Sequence, residues 1–171
     1  MKEILSLNFE SASVEEARLF KVRNTVRAVI FDNDRNVALM HVATNDFYKL
    51  PGGGIDPGED NLTALARECK EEAGVEIHAP VLLGLIKEIK KTDAVIQNSY
   101  CYITHMVGEK KPLKLTESEK NNGYEVLWVK LDEAINLVKS KGYLNSAGRY
   151  VVERELTILS SAKKYVTENQ S

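Results

Sequence analysis

PGGGIDPGEDNLTALARECKEEAGVEI, residues 51–77, is the stretch that decides how this chain is read. It has two halves. Gly52, Gly53 and Gly54 followed by Pro57 and Gly58 punctuate a loop, which the spacing extends over 45–59. From Asn61 to Ala73 the residues Leu62, Leu65, Ala66, Cys69 and Ala73 recur at helical spacing, and Gly74 stands where a helix cap is expected. On a wheel of about 100° per residue with Leu62 at zero, Glu68, Glu71 and Glu72 fall near roughly 240°, 180° and 280°. The three carboxylates share one strip, away from most of that apolar face.

Such a strip is unfavourable by itself. Glu68 and Glu72 are an i,i+4 like-charge pair and Glu68 and Glu71 an i,i+3 pair, each costing roughly 0.2–0.5 kcal/mol. Both lie toward the helix C-terminus, where the macrodipole disfavours negative charge. Deleting one charge should therefore leave stability level or raise it slightly. A positive partner is expected, and a strip of hard oxygen ligands suits Mg²⁺ or Mn²⁺, which commonly bridge to substrate phosphates. Alone, the helix reads as a solvated acidic face with Arg67 and Lys70 nearby. The glycine-rich loop, whose backbone can approach a ligand closely, turns the reading toward a joint site.

Upstream, Leu5, Leu7 and Phe9 alternate with polar neighbours as in a short strand, and Ser13 with Glu16 forms a capping box for a helix over Val14–Lys21. Thr25–Asp32 reads as a buried strand and Asn36–Val42 as its return across an Asn33-Asp34 turn, a hairpin. Downstream, apolar runs at Val81–Ile86 and Ala94–Val107 and the segment Glu125–Val129 read as strands. Leu115–Gly123 reads as a loop, Asp132–Lys139 as a helix capped by Asp132, and Ala147–Tyr165 as a longer amphipathic helix. No repeat or composition shift marks a second unit. The expectation is an α/β fold, a mixed sheet covered by helices, in a single domain over 1–171 with residues 1–22 as an N-terminal extension.

Composition narrows the function. The 23 Lys and Arg against 25 Asp and Glu give a net charge of −2. A near-neutral chain is not built to coat a nucleic acid polymer or an anionic membrane, so phosphate chemistry must come from a local site. Cys69 and Cys101 have neither CxxC spacing nor a neighbouring His cluster and read as buried free thiols. Residues 1–20 lack an apolar run of signal-peptide length, and no stretch is long enough to span a bilayer, so a cytoplasmic location is expected.

The quoted stretch resembles the Nudix box: Gly53, then Glu59, Arg67-Glu68, Cys69, Glu71-Glu72, Gly74 and Val75 stand at the positions that pattern requires. Cys69 is the soft departure, at an aliphatic position that a small buried thiol can fill. Tyr48-Lys49-Leu50-Pro51-Gly52 is similar to the family's lead-in. The resemblance implies a Nudix-type α/β/α sandwich with a mixed β-sheet. It also implies divalent-cation-dependent hydrolysis of a nucleoside diphosphate linked to another group. It implies Glu68, Glu71 and Glu72 as metal ligands with the Gly52 carbonyl, and either Glu68 or Glu71 as the base. It further implies Arg67 as the residue orienting the glutamates and Glu59 as support for the loop–helix geometry.

Some members add a glutamate from a later loop, for which Glu119 comes first, then Glu117 and Glu125. His41 stands where several relatives carry a phosphate-facing Arg, and Phe47, Tyr48 and Tyr100 are candidates for stacking on a base. Absent downstream Pro and absent NADH and coenzyme A signatures leave a MutT-like nucleoside triphosphate pyrophosphohydrolase. The alternative is an ADP-ribose or nucleotide-sugar pyrophosphatase, and a non-catalytic effector-binding module is third. The expected partner is a small nucleotide, in a monomer or homodimer.

Overall fold

The computed structural model describes residues 2–141 and 146–169. Along the chain run β1 (Glu3–Leu7), α1 (Val14–Ala17), β2 (Lys21–Phe31), β3 (Asn36–Val42) and β4 (Phe47–Lys49). Then come α2 (Asn61–Glu72), β5 (Glu76–Lys90), β6 (Val95–Val107), α3 (Glu117–Asn121), β7 (Tyr124–Lys130), α4 (Leu131–Ser140) and α5 (Ser146–Asn169). Among the described residues the strands make one seven-stranded mixed sheet in the order β1-β5-β6-β2-β3-β4, with β7 on β3. β1 runs parallel to β5 and β2 parallel to β6, while β5 and β6 are antiparallel.

Period-two alternation along β2 sorts its side chains between two cores. Val26, Ala28 and Ile30 face α2, where Ala64, Leu65 and Cys69 meet them. Val29 and Phe31 face the other way, onto Ala134 and Val138 of α4 and Val152, Ile158 and Leu159 of α5. The result is the helix–sheet–helix sandwich that the pattern implied. No helix among the described residues is long and apolar enough to cross a membrane.

The hairpin of β2 and β3 opens at once. Phe31 pairs with Val37 and nothing further along pairs between them. Into the gap comes the glycine-rich segment, with Val26 N–H donating to the Gly53 carbonyl, Ala28 N–H to Pro51 and Ile55 N–H to Asn24, all at 3.0–3.1 Å. β4 meanwhile pairs with the far end of β3, from Met40↔Lys49 to Val42↔Phe47. The loop expected over 45–59 therefore contains a strand, three residues long and too short to show periodicity.

Other boundaries differ for local reasons. The capping box of Ser13 and Glu16 is present, but α1 stops at Ala17 because Lys21 is already in β2, donating its N–H to Ala94. β5 runs well beyond the expected Val81–Ile86. Pro80 sits in a register shift between His78 and Val81, and β1 covers only Leu85–Glu88. A proline without an N–H is tolerated on such an uncovered stretch. Residues 115–123 hold α3, whose Thr116 and Glu119 form a second capping box. α4 begins at Leu131 with Lys130 as cap, so Asp132 lies in the first turn, where it still complements the helix dipole. Leu7 packs against its own chain, Phe9 lies beyond β1 with its ring 4.9 Å from that of Tyr150, and both cysteines are free and buried.

Candidate active site

α2 carries the chemistry, and its buried face differs from the expected one. Leu62 is 52% exposed, while Ala64, Leu65, Glu68, Cys69 and Glu72 are buried. On the same wheel these five span roughly 200–340°, so Glu68 and Glu72 lie in the middle of the inward face rather than beside it. Asp60 caps the helix, accepting the Thr63 N–H at 2.8 Å. Gly74 ends it at φ +68°, the left-handed conformation expected of a glycine there, and a Cβ would collide with the Lys111 carbonyl.

Each buried carboxylate has found a cation within the protein. Lys49 Nζ stands 2.7 Å from Glu72 Oε1, and the Gly52 N–H donates to Glu72 Oε2 at 2.8 Å. Arg67 binds Glu59 through Nε and Nη2, at 3.0 and 2.9 Å. Its Nη1 reaches Glu68 at 2.8 Å and Glu71 at 3.2 Å, and its Nη2 also bonds the Gly54 carbonyl at 2.9 Å. One guanidinium thus joins the loop to three glutamates. The hydrogen bond to Glu59 raises the Arg67 pKa, and that of Glu59 is lowered in return. Burial pushes the Glu68 carboxyl upward, with Arg67 opposing and Glu72 adding. Burial lowers Lys49, against the pull of Glu72. The repulsion foreseen within the strip is thus relieved by Lys49 and Arg67, which corrects the expectation that deleting one charge would be harmless.

Glu68, Glu72, Glu119 and Gly52–Gly54 line one cavity of about 360 Å³ with Phe47, Lys49 and Tyr124. Its far wall holds Arg23, Arg27, Lys90, Gln97 and Arg154. Glu71, 38% exposed at its side chain, is not in the lining, nor are Glu117 and Glu125. His41 and Tyr48 are also outside it. They are cross-strand neighbours with rings stacked at 4.9 Å, and His41 Nε2 lies 3.0 Å from Asp46. Tyr100 packs on the α2 side. Alternation along β4 explains why Phe47 and Lys49 reach the cavity and Tyr48 does not.

The basic wall leaves a signal in the sequence: Arg23 and Arg27 interrupt a strand otherwise rich in β-branched residues. Arg27 is 7% exposed, donates through Nη1 to the Gly52 carbonyl, and has its pKa lowered by burial and by Arg154.

Among the described residues no group of three His, Cys, Asp or Glu side chains converges closely enough in this arrangement to hold a metal ion. The donor set itself, two buried carboxylates and a backbone carbonyl on one cavity, is made of the hard oxygens that Mg²⁺ and Mn²⁺ prefer.

The NUDIX domain model matches residues 21–152. The chain belongs to the Nudix family. Among its relatives, an RNA pyrophosphohydrolase of Pelagibacter ubique is 39% identical over 57 residues, 32% of this chain and 36% of that protein. Diphosphoinositol polyphosphate phosphohydrolase 2 of Rattus norvegicus is 31% identical over 94 residues, 55% of this chain and 49% of its own length. The Nudix chain thus spans half or less of either. A NUDIX hydrolase structure from Nitrosomonas europaea superposes with a TM-score of 0.59 at 23% identity, over 78% of this chain and 87% of that one, a likeness of fold.

Gly53 shows how close the Nudix loop and helix stand. A Cβ there would overlap the Glu68 carboxylate. Gly53→Ala is expected to displace that flexible side chain and lower turnover by about a hundredfold, the order of loss that a displacement of about 1 Å can cause. The melting temperature should change little. A kinetic assay beside a thermal melt checks both.

Proposed function

We propose that this Nudix chain is a divalent-metal-dependent pyrophosphohydrolase that cleaves a nucleoside triphosphate. One observation carries the reading: Glu68, Glu72 and the loop at Gly52 share a single cavity with a cationic far wall. The two relatives, an RNA pyrophosphohydrolase and a diphosphoinositol polyphosphate phosphohydrolase, support cleavage of a phosphoanhydride.

Glu68 and Glu72 with the Gly52 carbonyl would hold Mg²⁺ or Mn²⁺, and Glu71 would join them on release from Arg67. When bound, the cation neutralises phosphate charge and lowers the pKa of water. Arg67 holds Glu59, Glu68 and Glu71 in register. Lys49 contacts Glu72 and Arg27 contacts the Gly52 carbonyl, and both cations would be placed to meet phosphate oxygens were those two groups to hold a metal ion. Glu68 lines the cavity and Glu71 does not, which favours Glu68 as the base. Its Oε1 accepts from Arg67; with that bond released, one oxygen would hold the cation and the other would take the proton from the attacking water.

The test is a nucleotide panel with Mg²⁺ or Mn²⁺, scored for released phosphate and pyrophosphate. Triphosphates should be cleaved, EDTA should stop the reaction, and a soaked crystal should show metal–oxygen distances of about 2.0–2.2 Å to Glu68 and Glu72. Preference for ADP-ribose by tenfold or more, about 1.4 kcal/mol in transition-state binding, would replace the triphosphate with that substrate.

A further inference from the structure

The far wall of the cavity is unexplained by the glutamates. Parallel pairing of β2 with β6 sets Arg23 beside Gln97 and Thr25 beside Ser99, and β5 sets Glu88 beside Gln97. Alternation then gives Arg23 and Arg27, Gln97, and Glu88 and Lys90 one common face of the sheet. Among these, Arg23, Arg27, Lys90 and Gln97 line the cavity.

These cations are not all consumed by the fold. Arg154, also in the wall, is committed to Glu88 and Glu155 at 2.6–3.2 Å. Arg27 instead keeps a buried Nε with no hydrogen-bond partner. A buried donor left unpaired is costly, and a guanidinium fork matches a phosphate. Lys90 Nζ sits loosely, 3.4 Å from Gln97 Oε1 and 3.8 Å from Glu88. Arg23 is exposed at the rim. Aromatic surface for a base is scarce by comparison. Of the two rings in the lining, that of Tyr124 already carries Lys49 Nζ at 4.7 Å, which leaves Phe47.

We propose that Arg23, Arg27, Lys90 and Gln97 form a second anion subsite that holds the substrate's terminal phosphates. The chain then selects its substrate by the number of phosphates rather than by the base. The inference rests on the pyrophosphohydrolase reading for its turnover arm and not for its binding arm.

The binding arm is calorimetric titration of inorganic tripolyphosphate and of inorganic phosphate into the full chain in EDTA. Wild type is compared with Lys90→Gln and with Lys90→Gln/Arg23→Gln, and thermal melts establish that both variants fold. Tripolyphosphate should bind more tightly than phosphate, and each substitution should weaken it by about tenfold, the loss of one charge-assisted contact. The turnover arm compares adenosine, guanosine and cytidine triphosphates with their diphosphates and with ADP-ribose. The three triphosphates should agree within a few fold, and Lys90→Gln should raise KM for them by a larger factor than it raises KM for ADP-ribose. Equal binding of tripolyphosphate by wild type and the double variant overturns the subsite, as does the absence of binding by wild type. So does a preference for one base that outweighs the loss of a phosphate. If nothing in the panel is cleaved yet tripolyphosphate binding still depends on Lys90 and Arg23, the subsite stands and the enzymatic reading falls.

Discussion

If Glu72 holds the cation as proposed, Glu72→Gln is expected to lower turnover by about a hundredfold or more, since even a supporting partner of a metal ligand is worth roughly 10- to 100-fold. The amide keeps an oxygen for the Gly52 N–H or for Lys49, so the loop should hold its place. Stability should nonetheless fall. Glu72 is 2% exposed and is the carboxylate opposite Lys49, and breaking a buried pair by removing one partner costs about 3 kcal/mol. Steady-state kinetics and urea denaturation at neutral pH measure the two effects. Wild-type turnover would remove Glu72 from the site, and unchanged stability would show that Lys49 finds another partner.

Arg154→Met is expected to be the most destabilising single change among those considered, by about 3–5 kcal/mol, because it takes the paired cation from buried Glu155 and leaves buried Glu88 only Lys90 at 3.8 Å. Arg154 is 3% exposed, and both Glu88 and Glu155 are fully buried. Glu155 also accepts the Leu50 N–H at 3.1 Å, so the loss reaches the turn that enters the glycine-rich segment. The triple variant Arg154→Met, Glu88→Gln, Glu155→Gln should recover much of the loss, since replacing a whole buried ionic set is often close to neutral. Urea midpoints of the single and triple variants decide it, and a loss below about 1 kcal/mol for the single change would mean the network contributes little.

The box was legible in the sequence because its constraints are local. Three glycines, apolar residues at helical spacing and Gly74 all act within 25 positions, and α2 forms within one residue of its expected span. The buried character of β2 was also legible, since β-branched residues mark it, but its neighbours were not: β3 meets it at one pair and β6 runs along it in parallel. The direction in which α2 faces was not. A wheel ranks side chains by hydrophobicity, and Glu68 and Glu72 are buried against it because Lys49 and Arg67 neutralise them. Lys49 lies on β4 and Arg154 on α5, more than 100 positions apart, and only the fold brings them to one cavity. Glu119 was found because a resemblance pointed to its loop. Arg27 stands out as a charge within β2, but no local pattern shows the gap between β2 and β3 that makes it a cavity wall, and Lys90 at the end of β5 carries no such mark.

The parallel pairings bear on how this chain is made. Glu3 pairs with Leu85, 82 positions later, and Lys21 with Val95, 74 positions later. Synthesis proceeds at about 5–20 residues per second, so β1 leaves the ribosome roughly 4–16 seconds before its partner strand exists. During that interval Leu5 and Leu7 have no sheet to join, and closing so long a loop must precede any return from the pairing. β1 can therefore dock only once β5 has been made, and its pairing over Leu85–Glu88 closes one edge of the sheet.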